Sequence, residues 1–161
     1  MNFRVTVFLI LLILAGSGTV FSQETVVTIM PSESVAIAKG QTTQLTVKAK
    51  IKKGFHIQAN PAADEFLIPT TLAVQASGGI VPGETVYPPG QIHRLKGSLD
   101  DIYTYEDEVT ILLPIQVMDS APTGNTNLAG NLNFQPCDDR QCFSPRSIPI
   151  LIPVEIIHSP E

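Results

Sequence analysis

Cys137 and Cys142 are the chain's only cysteines, and they lie in the stretch Asn133-Phe134-Gln135-Pro136-Cys137-Asp138-Asp139-Arg140-Gln141-Cys142-Phe143-Ser144-Pro145. Two sulfurs bond only when their Cα atoms come within about 4.4 to 6.8 Å, whereas the extended chain between these positions would span roughly 17 Å. A bond between them therefore requires the chain to fold back on itself. In the chain-entropy model so small a ring removes little unfolded-state freedom, roughly 2 kcal/mol against about 4.7 kcal/mol for a loop of about 100 residues. A staple meant to hold a whole domain together would join distant strands. Two uses fit the spacing equally: a redox pair that cycles between dithiol and disulfide, or a bond that only stiffens its own loop.

The neighbours of the pair bear on that choice. Arg140 lowers a nearby thiol pKa while Asp138 and Asp139 raise it, so the local charges do not predict a strongly activated thiolate. Phe134 and Phe143 flank the cysteines as core or lid side chains. His56, next to Phe55, reads as a structural or loop histidine that could also line a redox site. His56, His93 and His158 show no metal-ligand spacing among themselves or to the cysteines, so neither a metal nor a cofactor is expected. Carboxylates at Asp64, Glu65, Asp100 and Asp101 read as solvated loop charges. The sequence has no nucleophile elbow, zinc-protease helix or thioredoxin-like Cys-x-x-Cys.

Stepping from the cysteines to the chain that must position them, residues 1–22 read as an export signal. Arg4 supplies the positive start, Val5 to Ala15 is apolar, and Val20-Phe21-Ser22 offers a small-residue cleavage site. The apolar run is too short for a membrane-spanning helix, which needs about 20 residues. No stable membrane insertion is expected after cleavage. The mature chain, residues 23–161, is one domain by length. Without Arg4 it carries 9 Lys and Arg against 15 Asp and Glu, a formal charge of −6, which argues against nucleic acid as a partner. Export also places the cysteines where disulfides form and persist.

Short alternating segments separated by Gly, Pro, Asn and Asp predict an all-β chain. Val26 to Met30 and Ser34 to Ala38 are short strands broken by Pro31. In Thr43 to Ile51, Leu45, Val47, Ala49 and Ile51 share one face and Lys48 and Lys50 the other, the pattern of a half-buried antiparallel strand. Residues 55–70 read as irregular, Thr71 to Ala76 as a strand, and residues 91–107 as a long polar loop or hairpin. Val109, Ile111, Leu113, Ile115 and Val117 form a second alternating strand. Leu128, Gly130, Leu132 and Phe134 lead into the cysteine stretch. In the last strand, Ile148 to Ile157, Pro149 and Pro153 lack donors on the same side, which predicts an edge strand unpaired there. Seven or so strands in one exported domain suggest an immunoglobulin-like antiparallel β-sandwich without the usual inter-sheet disulfide and tryptophan.

The segments Gly54-Phe55-His56-Ile57, Asp64 to Thr70, Tyr87-Pro88-Pro89-Gly90, Ala121-Pro122-Thr123-Gly124 and Phe134 to Pro145 together resemble the N-terminal periplasmic domain of the thiol:disulfide interchange protein DsbD. The likeness covers nearly the whole mature chain in the family's order. It implies an immunoglobulin-like domain whose two cysteines shuttle between disulfide and dithiol. Such a domain accepts electrons from a transmembrane domain through a thioredoxin-like domain and passes them to periplasmic disulfide isomerases and cytochrome c maturation proteins. By this resemblance Cys142 attacks the partner's disulfide and Cys137 resolves the mixed disulfide. Phe134, Gln135, Asp138, Asp139, Arg140, Phe143 and His56 are then the residues placed to line or modulate the pair.

The chain departs from the family in two respects. It ends at Glu161, so it is expected to act as a stand-alone exported protein, periplasmic or secreted, fed by a separate membrane electron donor. The family's aromatic cap loop is also missing, since Gln91 to Asp101 contains no aromatic residue, leaving Leu95, Tyr103 or Tyr105 as substitutes. Two other readings stand beside exchange: a noncatalytic exported binding or scaffold module with a structural disulfide, and a redox-inactive relative that docks thioredoxin-like proteins.

Overall fold

The computed structural model describes residues 24–159; the export signal expected at residues 1–22 lies outside them. Among the described residues there are twelve strands, in the order β1 (Val27–Ile29), β2 (Val35–Ala38), β3 (Thr42–Ile51), β4 (His56–Gln58), β5 (Thr71–Val74), β6 (Ile80–Pro82), β7 (Gln91–Arg94), β8 (Asp101–Tyr105), β9 (Glu108–Val117), β10 (Gly124–Phe134), β11 (Pro136–Cys137) and β12 (Arg146–Ile157). They form three sheets, ordered β1-β3-β9-β6, β2-β12-β10-β5 and β11-β4-β8-β7.

The first two sheets make the sandwich, and the alternation of their sequences says why. On β3, Leu45, Val47, Ala49 and Ile51 are buried while Lys48 and Lys50 are exposed. On β9, Val109, Ile111, Leu113, Ile115 and Val117 are all buried. Antiparallel register sets Leu45 opposite Leu113, Val47 opposite Ile111 and Ala49 opposite Val109, so apolar meets apolar on the inner face. The facing sheet contributes Leu128, Leu132 and Phe134 from β10 and Ile150, Ile152, Val154 and Ile156 from β12 to the same core cluster. Each fully buried Leu, Ile or Phe contributes about 1.5–3 kcal/mol of transfer free energy. The all-β, immunoglobulin-like sandwich expected from the pattern is what the chain forms, with more strands than the seven or so expected.

Two expectations change. The last strand is not an edge: β12 pairs antiparallel with β10 along its length and in parallel with β2 from Val154 to Ile157. The backbone of Ile157 faces β2, since its carbonyl accepts a bond from Lys39 N, and Pro149 and Pro153 share its parity. The missing donors therefore face the side that β2 covers only beyond Pro153, and the proline argument holds for the first part of the strand alone. Second, the region after Gly54 is not wholly irregular, because His56–Gln58 forms β4.

The third sheet stands where β3 and β10 end and β9 and β12 begin. Gln91–Arg94 and Asp101–Tyr105 pair as a hairpin, resolving the polar excursion into β7 and β8. β4 pairs with β8 on one side and with β11 on the other. Gly90 leads into this hairpin and must be glycine, because a Cβ there would lie 2.5 Å from Ala59 Cβ and 3.0 Å from Tyr103 Cβ.

Candidate functional site

Local hydrogen bonding dictates how the cysteine stretch turns. Asp138 N donates to Gln141 O at 2.9 Å, and Phe143 N donates to Pro136 O at 2.8 Å. Cys137 and Cys142 therefore face one another as the non-hydrogen-bonded pair of a tight antiparallel ladder, where Cα atoms come closest. Their Cα atoms are 3.9 Å apart and the sulfurs are bonded, so the chain folds back even more tightly than the usual disulfide range requires. The Asp138 carboxylate closes the turn by accepting from Arg140 N at 2.7 Å and Gln141 N at 2.9 Å. Those two backbone donors hold its pKa below the usual carboxylate range.

The two sulfurs are not equivalent. Cys137 is fully buried, because β11 pairs it with His56 on β4. Cys142, on the returning arm, is partly exposed. β4 lies between core and disulfide: Ile57 points into the core cluster, and the period-2 alternation of a strand turns His56 and Gln58 to the opposite face. Gln58 is fully buried, and its Nε2 reaches Cys137 Sγ at 3.2 Å and Cys142 Sγ at 3.3 Å. One amide thus addresses both sulfurs.

Two loops are tied to the cysteine turn. The β7–β8 hairpin is held by Lys96, whose N donates to Asp139 O at 2.8 Å and whose Nζ donates to Asp139 Oδ2 at 2.9 Å. That ammonium holds the Asp139 carboxyl below its ordinary pKa, first by the hydrogen bond and then by charge. The other is the loop of residues 59–70, held by Gln135, whose Oε1 accepts from Ile68 N at 2.9 Å while Nε2 donates to Phe143 O at 3.2 Å. A polar strap therefore reaches the turn in place of the aromatic cap that the family resemblance implies. Tyr105 is no cap: it is buried, its hydroxyl lies 3.0 Å from Asn60 N and 2.9 Å from Pro88 O, and burial raises its pKa. Tyr103 is 43% exposed, and Leu95 is partly buried at the start of the strap.

The remaining candidates divide. Phe134 is 1% exposed and belongs to the core. Phe143 packs against Phe55 with ring centroids 6.2 Å apart, and Lys52 Nζ lies 5.9 Å above the Phe55 ring. Arg140 is exposed, with its backbone engaged by Asp138. His56 is brought beside Cys137, and His93 from β7 meets it with ring centroids 3.8 Å apart. The fold thus brings together two histidines that show no metal-ligand spacing in the sequence. Gln58, Lys96 and Glu106 escaped the sequence reading as site residues, and His93 was given no role there; only Gln58 had a signal, since it follows His56 by two on an alternating segment.

Between the two tethered loops is a cleft of about 570 Å³ lined by Ala63, Asp64, Phe66, Leu67, Leu99 and Asp101, among others. Phe66 is 82% exposed and Leu99 92% exposed, so large apolar groups stand in solvent on the two loops that are tied to the cysteine turn. Among the described residues no helix is long and apolar enough to cross a membrane.

These features define an immunoglobulin-like β-sandwich that presents a local cysteine pair at one end. The chain belongs to the family described as thiol:disulfide interchange protein DsbD, N-terminal, which it matches over residues 26–151. The family's chemistry is thiol:disulfide interchange, and its partners are thiol-redox proteins in general. No curated protein matches the chain. Among solved structures, the chain is similar to the ASH / PapD-like domain of human CEP192 (PapD-like domain 7), at 9% identity and a TM-score of 0.34, covering 99% of this chain and 100% of that one.

Proposed function

We propose that this chain is an exported exchange domain that passes reducing equivalents between thioredoxin-like partners through Cys137 and Cys142. The observation that carries the reading is the inequality of the two sulfurs on one turn, with Cys142 reachable and Cys137 buried behind it. In the dithiol state Cys142 loses its proton to solvent and its thiolate attacks one sulfur of the partner's disulfide. The partner's S–S bond breaks, its second sulfur leaves as a thiolate, and a mixed disulfide joins the two proteins. Cys137 then loses its proton and attacks Cys142 Sγ. The intramolecular disulfide re-forms, and the partner departs as a dithiol with two electrons. The reverse sequence with a separate reduced donor restores the starting state.

Gln58 Nε2 is placed to donate to whichever sulfur carries the charge. Asp138 and Asp139, both held anionic beside the pair, oppose a strongly activated thiolate, which suits a thiol that reacts only when docked. Alkylation of the reduced protein is expected to rise near the ordinary cysteine pKa of about 8.5; a steep rise near neutral pH would count against this. Phe66 and Leu99 are the apolar groups a docked partner would cover. The same reading takes residues 1–22 as an export signal and residues 23–161 as a mature periplasmic or otherwise secreted domain. Disulfide isomerases and cytochrome c maturation proteins are the acceptors it implies.

The reduction potential of the pair tests the proposal, measured by counting thiols after equilibration with glutathione or dithiothreitol mixtures. A value between roughly −270 and −120 mV supports an electron relay, and one below about −300 mV marks a structural bond. A Cys137→Ala variant should accumulate the mixed disulfide with an oxidised thioredoxin-like protein. Failure to trap any, with Cys142 shown to be alkylated, overturns the assigned roles.

A further inference from the structure

His56, His93, Glu106 and Asp139 meet at the side of the cysteine turn, and exchange chemistry does not use their arrangement. Glu106 Oε1 lies 3.5 Å from His56 Nδ1 and 3.3 Å from His93 Nδ1. A single carboxylate oxygen thus faces the same nitrogen of both rings, the position from which it can orient both imidazoles. Both Nε2 atoms are buried and lack a partner among the described residues. The side chain of His56 is 5% exposed and that of His93 is 20% exposed. One ring nitrogen from each histidine and a carboxylate oxygen of Asp139 lie within 4.8 Å of one another.

We propose that His56, His93 and Asp139 form a binding site for one divalent ion of the zinc or copper(II) type, with Glu106 orienting both imidazoles. Imidazole and carboxylate suit zinc and copper, whereas magnesium and calcium prefer all-oxygen sets. In a tetrahedral zinc site with ligand bonds of about 2.0–2.1 Å, ligand atoms stand roughly 3.3 Å apart. Atoms already within 4.8 Å of one another need to draw in to about that spacing to hold an ion. A carboxylate behind each ligating histidine is the usual outer-shell partner, which fixes the tautomer and raises ligand basicity. The three ligands come from β4, β7 and the cysteine turn. Lys96 already provides a positive charge to Asp139 at 2.9 Å. An ion would share or replace that contact and pin the β7–β8 hairpin to the turn more firmly.

Untagged, fully oxidised protein should be dialysed against zinc and, separately, copper(II) near neutral pH, with bound metal counted per chain. The closed disulfide removes both thiols as ligands, so uptake reports on this cluster. One ion per chain is expected, with nitrogen hyperfine structure in the copper spectrum. His93→Gln and Asp139→Asn should each weaken binding at least about tenfold, while His158→Gln leaves it unchanged. Asp139 is exposed, so its variant remains informative if substitution at His93 disturbs folding. No stoichiometric uptake of either metal, unchanged affinity in the Asp139 variant, or loss in the His158 variant would each overturn the site.

Discussion

β9 buries five side chains, all of them apolar, whereas β4 buries three, of which two are His56 and Gln58. The contrast extends across the described residues. The buried polar residues among those described are His56, Gln58, Thr70 and Thr104, and every one lies in or beside the small sheet that carries the cysteines. Thr70 donates through N and Oγ1 to the Gln58 carbonyl, and Thr104 is the cross-strand neighbour of Gln58. Burying polar groups costs free energy unless they are paired, so a sheet built for stability alone would use the aliphatic residues of the sandwich. The body supplies stability through burial, and the end spends some of it to place polar atoms around two sulfurs.

Substitutions can break this division or sharpen it. The largest expected effect is in the body: Ile111→Ala should destabilise the oxidised protein by about 2–5 kcal/mol in urea unfolding. Its reduction potential should not move, and a clear shift would end the separation. Replacing both cysteines by alanine should cost less, about 2 kcal/mol, while abolishing exchange. A stability loss as large as that of Ile111→Ala would make the disulfide a structural element.

Gln58→Met keeps volume and removes the donor to both sulfurs. A donor stabilises a thiolate more than a disulfide, so the reduced form should suffer and the potential should become more negative. One lost hydrogen bond of about 1 kcal/mol corresponds to about 20 mV. No movement would mean that the amide only fills space.

A smaller effect concerns pH. The Asp138 pKa is depressed by two backbone donors, so its stabilisation of the turn is present above the unfolded value of about 3.9 and is lost as pH falls through the lower folded value. Carboxyl NMR should find it titrating below about 3.9. Asp138→Asn, whose amide oxygen still accepts, should remove that part of the acid sensitivity. The smallest effect is expected for Lys96→Ala. An exposed ion pair adds little to global stability, but loosening the strap should raise the rate at which a small phosphine reduces the disulfide.

Much of this protein was legible in its sequence. Period-2 alternation located β3, β9, β10 and β12, because a strand with one wet and one dry face has to alternate. The two cysteines announced a fold-back, and a set of short motifs in order gave the family. Where a signal was local but its limit was not, the reading went only partway. Pro149 and Pro153 located a gap in hydrogen bonding, but nothing in β12 says that β2 resumes pairing at Val154.

What the tertiary structure decided is which distant side chains share a site. His93 reaches His56 because the β7–β8 hairpin folds alongside β4 through β8. Lys96 reaches Asp139 because that hairpin's turn comes to the cysteine turn. Gln58 meets both sulfurs because β11 pairs with β4 in a register that puts Cys137 opposite His56. Alternation is written along one strand and can be read there. Register and hairpin packing are settled between strands, by the total burial and hydrogen bonding of the folded chain, and leave no mark on the residues they bring together.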